Sequence, residues 1–275
     1  MSSIALGQYY PARSAMHKLD PRMKIIIGIA YIVASFLCSN VFSFALLLVS
    51  AFALVLISRI PIKVVLRSIK AIIFIMLFTA VLNVFWTKGE ADELLFGWNF
   101  INVYVSGLYN AAFIVVRIVS MIIGTSIFLT YTTTPIQLTD ALERLLSPLK
   151  AIKVPVHEFA MMMTIALRFI PTIVEETGKI MAAQKARGAD FTSGSLSKRA
   201  KALVPVLIPL FISAFRRAGE LATAMTCRCY RGGEGRTRMT KLTLSYRDFV
   251  ALFFMAAFIA GIVLLNVYAP GYSMW

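Results

Sequence analysis

Residues 41–58 read V-F-S-F-A-L-L-L-V-S-A-F-A-L-V-L-I-S, a run without a single charged side chain. Wound as a helix at 1.5 Å per residue it covers about 27 Å, close to the ~30 Å hydrocarbon thickness of a bilayer. Hydrocarbon offers no hydrogen bonds, so a segment that crosses it must satisfy its own backbone, and a helix does so. The whole chain follows this lead. Of its 275 residues 59% are apolar and only 15% charged, with a mean hydropathy of +0.78. These values exceed what a soluble globular domain carries and point to an integral membrane protein.

Further apolar runs lie at Ile25–Cys38, Ala71–Trp86, Leu108–Tyr131 and Phe249–Tyr268. With Val41–Ser58 they make five expected spans. The first two are short and separated only by Ser39 and Asn40. They form either one long broken helix or two helices in a tight hairpin, which suits their combined length better. The first run starts after a polar segment longer than the usual basic region of a signal peptide and lacks a small-residue cleavage site. The N-terminus is therefore expected to be retained.

Lys and Arg set the orientation. Arg13, Lys18, Arg22 and Lys24 precede the first span, and Arg59, Lys63, Arg67 and Lys70 follow the second. Both groups are expected on the cytoplasmic side. Thr87–Gly107 carries Lys88 against Glu90, Asp92 and Glu93, which fits the outside, whereas Thr132–Tyr246 holds 17 of the 28 Lys and Arg. Basic cytoplasmic loops beside an anionic leaflet account for most of the net charge of +15, and no nucleic-acid partner is needed to explain it.

The long cytoplasmic stretch reads as helices. From Pro171 to Arg187, Ile173, Val174, Thr177, Ile180 and Met181 recur at helical spacing, with Glu175, Glu176, Lys179 and Lys185 on the other side. Glu175 and Lys179 form a favourable i,i+4 pair. From Pro209, a second stripe of Phe211, Phe215, Ala218, Ala222 and Met225 runs opposite Arg216, Arg217 and Glu220. Each helix is expected to start at its proline and to carry an arginine about 24 to 29 Å further along.

The helix ends carry the sharper signal. M-A-A-Q-K-A-R-G-A-D-F (residues 181–191) closes with Ala186, Arg187 and Gly188, and A-M-T-C-R-C-Y-R-G-G (residues 224–233) repeats the rhythm with Cys227, Arg228 and Cys229. Arg-Gly at a helix C-terminus is ordinary capping: glycine takes the left-handed turn and the cation complements the helix dipole. Two copies favour more than a cap. Ala183 and Ala224 lie four residues before the arginines and keep each end slim, as a knob that docks in a narrow groove requires.

Three motifs in this order resemble the transmembrane coupling (T) component of energy-coupling factor transporters, importers of vitamins and some metal ions in prokaryotes. They are Y-Y-P-A-R-S-A-M-H-K-L-D-P-R-M-K (residues 9–24), Q-K-A-R-G-A-D-F (residues 184–191) and A-M-T-C-R-C-Y-R-G-G-E-G-R-T (residues 224–237). In the first, Asp20 caps a helix that opens at Pro21, and Arg22 and Lys24 hold it at the membrane surface. The third departs from the family's Ala-Arg-Gly pattern by placing Cys227 and Cys229 around Arg228. Its Gly232, Gly233 and Arg236 stand.

The resemblance implies an all-α, polytopic membrane protein with about five transmembrane helices and a cytoplasmic set of long amphipathic coupling helices. Residues 1–131 would hold the N-terminal cytoplasmic segment and four spans, 132–246 the coupling helices, and 247–275 the last span. It also implies a non-catalytic subunit in the prokaryotic cell membrane, with N-terminus and coupling helices cytoplasmic. Two ABC-type ATPase subunits would dock on Ala186, Arg187, Gly188 and on Cys227, Arg228, Cys229. Asp20, Pro21, Arg22, Gly232, Gly233 and Arg236 would play supporting parts. A small membrane S component would bind the transported substrate. A solute-lining permease of an ordinary ABC importer is the alternative reading, but it expects one coupling loop per chain.

Other features carry less. Gly232–Thr237 lacks the spacing and lysine of a phosphate-binding loop. Cys227 and Cys229 lack further ligands for a metal site, and no cofactor is expected. His17 and His157 read as local structural residues, and no acid or histidine cluster marks a membrane-embedded enzyme. Arg117, a charge inside the fourth span, is expected to face the bundle or a partner. Met161–Met163 read either as core or as an adaptable contact surface.

Overall fold

The computed structural model describes residues 9–12, 14–86, 94–98, 101–191, 193, 195–232 and 242–268. A short 3₁₀ turn at Met16–Lys18 leads into α1 (Pro21–Leu37), α2 (Val41–Ser58) and α3 (Ile62–Trp86). A two-stranded antiparallel hairpin, β1 (Leu94–Trp98) and β2 (Ile101–Tyr104), precedes α4 (Val105–Thr125), which continues as a π-helical turn at Ser126–Tyr131. Then come α5 (Pro135–Leu145), a 3₁₀ turn at Ser147–Ile152, α6 (Val156–Ala186), α7 (Leu196–Cys227) and α8 (Tyr246–Tyr268). The expected all-α membrane architecture holds, and among the described residues a strand pair interrupts it in the loop before α4.

Among the described residues six helices are long and apolar enough to cross a membrane: α2, α3, α4 with its π-helical turn, α6, α7 and α8. Four of them are expected spans. The fifth expected span, α1, is only 17 residues long. Helices α6 and α7 reach this length and apolarity as well, with the lowest mean hydropathy of the six.

The chain divides into two compact units, one built on Gly7–Leu138 with Leu242–Trp275, the other on Thr139–Lys241. In the first, α1 lies at the centre of a core formed with α2, α4 and α8, in which Tyr31, Ala34, Leu47, Phe128 and Ile262 are buried. Gly124 on α4 makes this approach possible. A Cβ there would lie 2.3 Å from Cε1 of Tyr31, so only glycine lets the two helices close at this point, as small residues do in membrane bundles.

Helices α1 and α2 are separate, which decides between the hairpin and the broken helix. Cys38 is extended at the end of α1, and Asn40 is extended before α2. The carbonyls freed at the end of α1 find partners on other helices. Arg117 Nη2 donates to Cys38 O (2.8 Å) and Asn266 Nδ2 to Leu37 O (2.6 Å). Ser43 in turn donates to Asn266 Oδ1 (2.7 Å). Arg117 also stands over the Phe44 ring, 5.2 Å from its centroid. It therefore faces the bundle, where a cation complements the negative end of α1.

At the opposite end of α1 the expected cap is present. Asp20 Oδ1 accepts from the Arg22 backbone N–H (2.9 Å), and the Arg22 guanidinium bonds both carboxylate oxygens (3.0 and 2.8 Å). Asp248 on α8 accepts from the Asp20 N–H (2.8 Å) and from the Ser245 N–H (2.7 Å), tying α8 to the start of α1. Lys24 departs from its expected surface position. It is buried and donates to Thr132 O (2.7 Å), because one helical turn beyond the cap its side chain already points into the bundle.

Candidate functional site

The second unit pairs α6 with α7. Both helices are longer than the prolines suggested: α6 begins at Val156 and α7 at Leu196, so Pro171 and Pro209 lie inside them. Proline removes one backbone bond from an interior turn. The uninterrupted helical runs upstream, His157–Ile170 and Ser197–Val204, hold the helix on the proline's N-terminal side.

The faces that meet also differ from the simple stripes. Ile165, Phe169 and Ile173 of α6 line one groove of about 280 Å³ with Ala214, Ala218 and Ala222 of α7. The three alanines, one turn apart, are exposed along this groove, and Phe211 and Phe215 are exposed as well, stacked on one another at 6.2 Å. Glu176 and Arg217, expected on the solvent sides, join across the pair at 2.7 Å, each about a quarter to a third exposed. A charged pair within an otherwise apolar seam fixes register, and the sequence does not single it out because Glu176 follows Glu175 and Arg217 follows Arg216. Glu175 and Lys179 form the expected exposed pair at 2.8 Å.

Both arginine-bearing ends are built alike. Arg187 closes α6, its N–H bonding back to Ala183 O (3.2 Å). Gly188 follows at φ +86°, with bonds from the Gly188 N–H to Lys185 O and from the Ala189 N–H to Gln184 O, both 3.0 Å. Arg228 closes α7 with its N–H to Ala224 O (3.3 Å), and the Cys229 and Tyr230 N–H groups bond Thr226 O and Met225 O (2.9 and 3.0 Å). The two sets of bonds match position for position and form the same Schellman cap. The turn that lacks glycine is made all the same, with Cys229 in the left-handed region at φ +57°.

Ala186, Arg187, Gly188, Cys227, Arg228 and Cys229 are all exposed. Among the described residues neither Arg187 nor Arg228 forms an ion pair. The helices run antiparallel: Gln184 Nε2 reaches Pro205 O at 3.5 Å, Glu176 meets Arg217, and Met161 borders the same groove as Arg228. The arginines thus stand at opposite ends of the pair, separated by the stretch of α7 from Pro205 to Arg228, about 35 Å. Met162 and Met163 are half exposed on α6.

The supporting residues divide. Gly232 follows the second tip in a left-handed turn at φ +90°, and Gly233 and Arg236 lie outside the described residues. Asp20, Pro21 and Arg22 form the α1 cap in the other unit. The histidines are local: His17 Nε2 donates to Tyr10 O (2.9 Å), so its Nδ1 accepts from Ser14 Oγ (2.7 Å), and His157 Nδ1 pairs with Glu143 (2.9 Å).

Residues 12–239 match the model of the cobalt transport protein family, CbiQ. The energy-coupling factor transporter transmembrane protein of Clostridium kluyveri is 53% identical over 251 residues, which span 91% of this chain and 92% of the relative. The chain belongs to this family. The counterpart of Ruminiclostridium cellulolyticum is 50% identical over 263 residues (96% and 97% of the two chains), and that of Bacillus subtilis 47% over 260 residues (94% and 97%). As an energy-coupling factor transmembrane protein, the chain is a multi-pass membrane component of a transporter and not its catalytic subunit.

Proposed function

We propose that this chain transmits ATP-driven motion from two partner ATPase subunits to a separate substrate-binding membrane protein, the S component, in the uptake of a vitamin or similar micronutrient. One ATPase docks at Arg187 and the other at Arg228. The observation that carries this reading is the matched construction of the two ends: the same cap, an exposed arginine without an ion pair among the described residues, and positions at opposite ends of one antiparallel helix pair. Two like sites far apart suit two like partners. Each guanidinium would meet a carboxylate in an ATPase groove, a charge-assisted bond of about 1.5–3 kcal/mol when desolvated.

The exposed Phe211, Phe215, Met162 and Met163 supply an apolar, adaptable surface for the S component. The α6–α7 pair would lie on the cytoplasmic side with the N-terminus, a reading supported by the excess of Lys and Arg in residues 132–246. Co-purification of the chain with its ATPases tests the docking role. Arg187→Glu together with Arg228→Glu is expected to abolish it, and unchanged recovery of both ATPases contradicts it.

A further inference from the structure

At the end of the first unit where α1 begins, α2 ends and α8 begins, two clefts adjoin. One is nearly wholly apolar, about 590 Å³, and is walled by Leu19, Tyr31, Ala53, Leu54, Val250 and Phe254 among others. The other, about 670 Å³, is rimmed by Lys18, Arg59 and Arg247. Ala15, Ile57 and Arg247 line both, so a basic mouth adjoins an apolar groove.

All three cations are exposed, and none has an ion-pair partner among the described residues. Acids stand nearby, but they are engaged. Asp20 is held by Arg22, and Asp248 accepts from the Asp20 and Ser245 N–H groups; both carboxylates are buried. Three side chains from three separate elements thus line one mouth with no carboxylate in ion-pair contact among the described residues. Arg59 does so from the left-handed conformation, φ +55°, where most residues other than glycine are disfavoured. One chemistry answers both halves of the space: an anion at the mouth joined to a hydrocarbon chain inside.

We propose that this composite cleft binds a single anionic phospholipid, its phosphate among Lys18, Arg59 and Arg247 and one acyl chain along the wall formed by Ala53, Leu54, Val250 and Phe254. The lipid is a structural ligand that fastens α8 to the α1–α2 hairpin. The site differs from a diffuse attraction of basic loops to an anionic leaflet because it demands a fixed number of lipids and depends on groove shape as well as charge.

The full-length chain, purified in mild detergent, is exposed to an equimolar mixture of phosphatidylglycerol and phosphatidylcholine with identical acyl chains, and bound lipid is counted by native mass spectrometry. One phosphatidylglycerol is expected to be retained, preferred over phosphatidylcholine by about tenfold or more given three convergent cations. Lys18→Gln with Arg59→Gln and Arg247→Gln is expected to erase the preference. Ala53→Phe, which fills the apolar wall and leaves the cations, is expected to reduce retention of phosphatidylglycerol as well. Circular dichroism confirms that each variant is folded before its lipid is counted. Equal retention of the two lipids by the unaltered chain, or an undiminished preference in the triple variant, overturns the proposal. So does displacement of the lipid by millimolar inorganic phosphate, which would reduce the site to an anion pocket without a role for the groove.

Discussion

Gly188 and Cys229 occupy the same left-handed position one residue beyond a helix-capping arginine, at φ +86° and +57°. The cap at Arg228 is thus as closed as the one at Arg187, although one is made by glycine and the other by a residue with a side chain. Left-handed backbone costs a non-glycine residue about 1 kcal/mol, and the pair of cap bonds at Cys229 and Tyr230 holds it there.

Cys229→Gly should therefore tighten the end of α7, with a gain of up to about 1 kcal/mol in local stability. Hydrogen exchange at the Tyr230 amide is the direct readout, and slower exchange is expected. Gly188→Val should do the reverse at α6, since a β-branched residue is poorly suited to φ +86°, and the Ala189 amide should exchange faster.

Gly124 on α4 leaves no room for a Cβ against Tyr31 on α1. Gly124→Ala puts a methyl group 2.3 Å from the ring, which is buried and stacks on Phe258 at 5.9 Å. A loss of about 1–3 kcal/mol is expected from such overpacking. Thermal unfolding in detergent should show it, and Gly261→Ala, whose nearest neighbour would be a leucine methyl at 3.6 Å, should be milder.

Arg117 acts as a cap rather than as a free intramembrane charge. Arg117→Met leaves the Cys38 carbonyl without its guanidinium donor and should destabilise the α1–α2 turn by about 1–3 kcal/mol. A matching loss of thermal stability in the isolated chain is expected; an unchanged midpoint would assign Arg117 to a partner contact instead.

Glu176 and Arg217 join α6 and α7 at 2.7 Å while partly exposed. A double-mutant cycle with Glu176→Gln and Arg217→Gln should give a coupling energy of about 0.5–1 kcal/mol that shrinks as salt is raised. Their placement in the seam predicts that the pair fixes helix register more than it adds stability.

Much of this architecture was legible in the sequence because membrane helices announce themselves by length and apolarity. The α2 run ends within a residue of its observed limits, and the Asp20-Pro21 start of α1 is local chemistry that any helix would obey. The arginine ends were legible for the same reason, since a cap is written in consecutive residues. What escaped depends on contacts between distant segments. Lys24 is buried because Thr132 offers a carbonyl, and Glu176 and Arg217 leave the solvent sides because each meets the other across the α6–α7 pair. Pro171 and Pro209 misled because proline favours a helix start without requiring one.

The role proposed for the two arginines is read out by reconstituting the chain with candidate ATPases and an S component and following ATP-dependent substrate uptake. The single variants Arg187→Glu and Arg228→Glu should each impair coupled uptake, and the double variant should abolish it together with ATPase co-purification, while the chain itself keeps its helical content. Undiminished uptake by the double variant would contradict the account.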